Sequence, residues 1–141
     1  LAKVITLTIW MPIIAGMGGN GGTQALAVTV RRVALGQIPV GKAMGVIGKE
    51  VLAGIVNGMA VGALATLVTL LLGHGARLGL VVFLAMTGNL FVAGFAGALI
   101  PLLLARYGVD PAVASSIFVT TFTDVCGFLL LFGLTAWILR A

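Results

Sequence analysis

Charge is what this sequence has least of. Only 8% of its 141 residues are Asp, Glu, Lys or Arg, where a soluble domain carries about 25%. That shortage excludes an ordinary water-facing surface. With 61% hydrophobic residues and a mean hydropathy of +1.27, the chain reads as an integral membrane protein. The one cysteine, Cys126, has no partner for an internal disulfide and reads as a small buried hydrophobe. One cysteine and one histidine make no ligand cluster for a transition metal, and His74, in a Gly-His-Gly turn, reads as a loop residue. The acidic residues are Glu50, Asp110 and Asp124. Glu50 and Asp110 fall at segment ends, so the carboxylate pair of an intramembrane aspartyl protease is missing. No nucleophile, base and orienting group converge for any other enzyme. The net charge of +5 does not point to nucleic acid, because the basic residues are scattered at segment ends, as membrane topology requires.

What the sequence does have is long apolar runs. They suit helices rather than barrel strands, since a spanning helix satisfies its own backbone in lipid. The expected fold is an all-α integral membrane protein, a single transmembrane domain over 1–141. Four transmembrane helices are expected at about 4–30, 51–72, 78–104 and 112–139. The chain starts at Leu1 without a secretory signal pattern and reads as a piece of a longer protein.

The first segment carries Pro12 and then five glycines within 16–22, interleaved with Asn20 and followed by Thr23 and Gln24. Proline removes a helix hydrogen bond and glycine weakens a helix, so a kink or break is expected at Pro12 and Gly16–Gly22. Loosened backbone at membrane depth is tolerated where it lines a cavity, and freed carbonyls there can face a cation. The other reading is close helix packing through small residues. No Gly-Lys-Ser/Thr follows and no strand precedes, so the string is not a phosphate loop. Arg31 and Arg32 open a polar linker reaching about Gly48, with Gly36, Pro39, Gly41, Lys42 and then Lys49-Glu50. In the second segment, Gly54, Gly58 and Gly62 recur every fourth residue and predict a packing stripe, while Asn57 reads as an interhelical hydrogen bond. The third segment holds Asn89, with Gly94 and Gly97/Ala98 suited to close packing, and Pro101. Asp110-Pro111 predicts a helix start, with Asp as N-cap and Pro at the first helical position. Trp10 and Trp137 read as interfacial anchors.

Asp124 is the only ionisable group well inside the fourth segment. A carboxylate near mid-bilayer costs about 2.5–3.5 kcal/mol on insertion scales, and such groups face a partner, a cavity or a pore. Thr120, Thr121 and Thr123 precede it. On a helix Thr120 and Asp124 share a face, with Gly127 three residues on. Hydroxyls, a carboxylate and a gap on one side suit a wet surface lined for a cation. For orientation, Arg31, Arg32, Lys42, Lys49 and Arg106 lie on one side and Lys3, Arg77 and Arg140 on the other. The first side is therefore expected in the cytoplasm and the C-terminus outside, in a multi-pass protein of the cell inner (plasma) membrane.

Two stretches resemble the membrane domain of the MgtE family of magnesium channels. One is Met11-Pro12 with Gly18-Gly19-Asn20-x-Gly22-Thr23-Gln24. The other is Asp110-Pro111-Ala112-Val113-Ala114-Ser115, then Thr120-Thr121-Phe122-Thr123-Asp124-Val125 and Gly127-Phe128. Glu50-Val51-Leu52-x-Gly54 and Asn57-Gly58 fit as well. The resemblance implies a homodimer in membrane lipid with one cation pathway near its axis, Mg2+ as the transported ion and no organic cofactor. It implies that Asp124 of both subunits binds Mg2+ with help from backbone carbonyls, for which Gly19 and Thr120 are the candidates. Asn20, Thr23, Ser116 and Thr123 are the expected pore-lining residues, with Ser116 and Thr23 near the cytoplasmic mouth. The family's first membrane helix and its cytoplasmic regulatory domains have no counterpart in this sequence. Asp110 would face the cytoplasm, where a regulatory cation is a second role beside the N-cap. Two other functions fit the residues: a proton-coupled transporter with Asp124 as relay, and a non-conducting assembly subunit in which the glycines only pack helices.

Overall fold

A chain this apolar has to close its own backbone hydrogen bonds, and it does so in four helices. A computed structural model describes residues 2–38 and 42–139, with side chains described over 7–38, 42–112 and 116–139. The helices are α1 (Ala2–Ala34), α2 (Ala43–Leu71), α3 (Ala76–Arg106) and α4 (Pro111–Ile138). Pro39, Gly41 and Arg140, and the side chains of Lys3 and of 113–115, lie outside the described residues.

Three of the helices stop in the same way. After α1, α2 and α3 the chain turns through Gly36, Gly73 and Gly108, with φ of 64°, 76° and 73°. Each glycine N–H donates back to the carbonyl three residues before it: Gly36 to Val33, Gly73 to Leu70 and Gly108 to Ala105. The next N–H reaches one carbonyl further, Gln37 to Arg32, His74 to Thr69 and Val109 to Leu104. This paired closure satisfies carbonyls that a helix end leaves open, and the left-handed residue it needs is cheapest as glycine. At the other kind of boundary, Asp110 Oδ1 accepts from the Ala112 N–H at 2.9 Å and Pro111 occupies the first helical position, as the sequence predicts.

α3 is the helix on which the others pack. It contacts α1, α2 and α4, α1 also contacts α4, and α1 and α2 scarcely meet. The predicted Gly54/Gly58/Gly62 stripe forms the α2–α3 contact. A Cβ on Gly54 would strike the Leu90 carbonyl, one on Gly58 would lie 2.8 Å from Thr87 Cα, and one on Gly62 would lie 3.1 Å from the Phe83 carbonyl oxygen. Gly94 answers from α3 against the Glu50 carbonyl and Val51 Cα. Thr66 adds a cross-helix bond, its Oγ1 donating to the Gly79 carbonyl at 3.0 Å. On the α1 side, Gly97 meets the Gly22 carbonyl and Ala25. Beside these contacts lies an apolar cluster that includes Ile14, Val81, Val82, Ala85, Met86 and Leu131.

Several expectations change. α1 runs unbroken through Pro12 and the glycines, because Gly18, Gly19, Gly21 and Gly22 face neighbouring helices and the packing holds a segment that propensity alone would weaken. α2 begins at Ala43, so Lys49 and Glu50 belong to its second turn and the linker is shorter than the charge pattern implied. Of the four helices, three have described stretches long and apolar enough to cross a membrane: Ala43–Leu71, Ala76–Arg106 and Ser116–Ile138. The described part of α1 is not among them. Trp137 is exposed, as an anchor should be, but Trp10 is only 4% exposed. Trp10 shares a helix face with Leu7 and Ile14 in the core cluster.

The glycine contacts predict opposite effects of one added methyl group. Gly54→Ala or Gly94→Ala must push α2 off α3, at an overpacking cost of about 1–3 kcal/mol. Gly45, in α2 with nothing near its Cβ position, gains helix propensity as alanine. Thermal unfolding in detergent should show a lower Tm for the first two and an equal or higher Tm for Gly45→Ala.

Candidate cation site

The glycine string of α1 lies against α4 where Gly19 and Gly22 leave room, while Gly18 faces Asn89 of α3. A Cβ on Gly19 would lie 3.9 Å from Thr120 Cγ2, and one on Gly22 would lie 2.5 Å from Val119 Cγ1 and 3.5 Å from Thr123 Cγ2. A Cβ on Gly18 would strike the Asn89 amide. The structure thus brings Gly19 and Thr120, from opposite ends of the sequence, into one place. Asp124 follows one turn after Thr120 on the same face of α4. It is half-buried and has no hydrogen bond or ion pair among the described residues.

The hydroxyls near it are turned inward to their own helix. Thr120 Oγ1 donates to the Ser116 carbonyl at 3.0 Å and to the Ile117 carbonyl at 3.2 Å. Thr123, fully buried, donates from Oγ1 to the Thr120 carbonyl at 2.9 Å. The Thr120 carbonyl therefore already accepts a side-chain bond in addition to its place in the helix, and would meet a cation only if Thr123 turned away. Gly19 has no side chain to shield its carbonyl. Thr23 Oγ1 donates to the Asn20 carbonyl at 3.0 Å, and Ser116 is exposed at the first turns of α4.

Asn20 is placed differently from its expected neighbours. With Gln24 it lines a groove between α1 and α2, floored by Leu90, where Asn57 stands opposite. The adjoining hollow, about 190 Å³, is lined by Gln24, Glu50 and Asn57 among others. Asn57 is exposed there and makes no interhelical hydrogen bond among the described residues. The interhelical amide is instead Asn89, whose Nδ2 donates to the Ile14 carbonyl at 2.7 Å. Nothing in the sequence singles out Asn89 over Asn57. Both are lone amides in apolar helices, and only the glycines at 18 and 127, facing it from two other helices, mark its place.

Among the described residues no three His, Cys, Asp or Glu side chains gather to hold a metal. A single carboxylate does not cage a hard cation that prefers six oxygen ligands, and Mg2+ keeps several waters in such settings. What this arrangement offers is one carboxylate a turn along α4 from the place where Thr120 meets the Gly19 backbone.

A family model described as a divalent cation transporter, MgtE, matches residues 11–134. The chain belongs to the MgtE family. Three curated proteins, each named magnesium transporter MgtE, align with it. That of Enterococcus faecalis is 39% identical over 140 residues, 99% of this chain. That of Bacillus subtilis is 34% identical over 139 residues, 98% of the chain, and that of Thermus thermophilus is 32% identical over the whole chain. The alignment covers 31% of each of these relatives, so the chain spans under a third of their length. Family membership together with the apolar helices makes this a multi-pass membrane protein.

The geometry separates two kinds of glycine in the string. Gly19→Ala meets Thr120 at an ordinary contact distance and should leave Tm unchanged, so a loss of cation binding in that variant reads the ion site and not the fold. Gly22→Ala, colliding with Val119, should lower Tm. Equal Tm losses in the two variants would refute the α1–α4 contact.

Proposed function

We propose that this chain is the cation-conducting part of a divalent cation transporter that passes Mg2+ across the membrane. The observation that carries the reading is Asp124: half-buried in an apolar helix, without a partner among the described residues, beside the place where Gly19 meets Thr120. An ionised carboxylate in that setting is costly unless a cation or water meets it. The names of the aligned relatives support Mg2+ as the ion.

In this reading two copies form a homodimer and bring two Asp124 side chains to one hydrated ion. A carboxylate about 4.5 Å from the ion, across one water, at an effective dielectric of about 20, attracts a divalent ion by roughly 7 kcal/mol and a monovalent one by about 4. Two carboxylates double that difference, before desolvation, which favours divalent ions with one acidic residue per subunit. Mg2+ need not lose its inner waters, which it gives up reluctantly. The Gly19 carbonyl accepts from those waters, with the Thr120 carbonyl joining when Thr123 releases it. Thr23 and Ser116 line the path on either side, while Thr123, expected there too, is buried against Gly22 and acts only through the Thr120 carbonyl. Asn20 borders it less directly, from the edge of the α1–α2 groove. Arg32, Lys42 and Lys49, gathered around one hollow, mark the cytoplasmic side, which leaves the C-terminus outside.

Reconstitution of the protein at its natural full length into proteoliposomes tests this directly. Saturable Mg2+ uptake without a pH gradient is expected in the wild type and should be lost in Asp124→Ala at matched incorporation. Asp124→Asn should lose most of it too, because the charge and not the shape selects the ion. Uptake only under a pH gradient would instead make Asp124 a proton relay. Undiminished uptake in well-folded Asp124→Ala would remove it from the path.

A further inference from the structure

Asn89 is fully buried in the middle of α3 and touches both halves of the candidate site. Its Nδ2 donates to the Ile14 carbonyl of α1 at 2.7 Å, and the amide lies over Gly18, whose Cβ it would overlap. On its other side is α4, where a Cβ on Gly127 would lie 2.8 Å from Nδ2 and 3.0 Å from Cγ. One amide is therefore clasped between a glycine next to Gly19 and a glycine three residues after Asp124. Neither neighbouring helix can slide or turn there without pushing on it. Only the α1 contact is a hydrogen bond: among the described residues Oδ1 has no partner.

We propose that Asn89 is a positioning residue of the cation site. It pins the register of α1 to α3 through the Ile14 carbonyl and fills the gap to α4, so that the Gly19 backbone and Asp124 meet the same ion. This rests on the proposed function above.

The orphan Oδ1 separates this role from a merely structural one. Leucine in place of the amide removes the unsatisfied acceptor, and the Ile14 carbonyl keeps its bond within the continuous α1, so the exchange costs little stability. Asn89→Leu should therefore keep its Tm while losing the pin. A site loosened by a fraction of an ångström loses affinity steeply, so its half-saturating Mg2+ concentration in proteoliposomes should rise about five- to tenfold. Asn89→Ala should shift it the same way with a lower Tm. Met86→Ala, an equally buried position one turn earlier on α3, is the control: its Tm should fall while half-saturation stays put. An unchanged half-saturation in Asn89→Leu overturns the proposal, as does an equal shift in Met86→Ala. If Asn89→Leu does not fold, Gly127→Ala, which presses on the amide from α4, reads the same quantity with the same expected direction. The parent reading has its own marker: wild-type uptake lost in Asp124→Ala, with Asn89 variants unaffected, removes the pin alone. Absence of wild-type uptake removes both.

Discussion

Close backbone approach across glycine is the constraint on which this structure rests. Between helices in lipid there is little hydrophobic drive to associate, so contact has to come from packing and from polar bonds. α3 meets that requirement on three sides. Gly94 admits the backbone of α2, Gly97 admits that of α1, and Gly88 receives Leu130 of α4 at 3.0 Å from its Cβ position. Thr29 and Thr69 return their buried hydroxyls to their own helices, to Ala25 and Ala65, while Thr87 Oγ1 is buried without a partner among the described residues. Polar side chains gather in two places: Thr120, Thr123 and Asp124 on α4 near α1, and Asn20, Gln24 and Asn57 along the α1–α2 groove.

In the proposed reading one acidic residue per subunit serves the ion. Asp124 is the only charged residue of its helix, and Thr120 and Thr123 spend their donors on carbonyls of the same helix. The carboxylate is left as the strongest acceptor on its face. A cation beside it would see full charge from one group and dipoles from the rest, which matches an ion that arrives hydrated and leaves hydrated.

Much of this was readable in the sequence because the relevant patterns are local. The Gly54/Gly58/Gly62 spacing, the Asp110-Pro111 cap and the Gly-His-Gly turn each state their own geometry. Gly19, Thr120 and Asp124 were picked out by type and by family resemblance, and the fold brings Gly19 and Thr120 together. Other features were hidden for physical reasons. Glycine reads as a helix breaker by propensity, yet in α1 it is a contact residue, and tertiary packing outweighs the propensity. Hydropathy marks the apolar part of a helix and not its ends, so the start of α2 at Ala43 was missed. Trp10 carries the composition of an anchor but shares its helix face with Leu7 and Ile14. The choice of Asn89 over Asn57 depends on which glycines lie across from it, which no single segment records.

The near absence of contact between α1 and α2 has a mechanical consequence. α2 is joined to the assembly in series, almost entirely through α3, whereas α1, α3 and α4 brace one another as a closed triangle. Force applied to α2 reaches the Asp124 region chiefly by way of the Gly54–Gly94 seam and then through α3. Motion of α1 relative to α4, by contrast, alters that region at once and leaves α2 where it was. The bundle is thus a stiff three-helix unit carrying an outrigger, and the groove beside Asn57 is the seam along which the two can part.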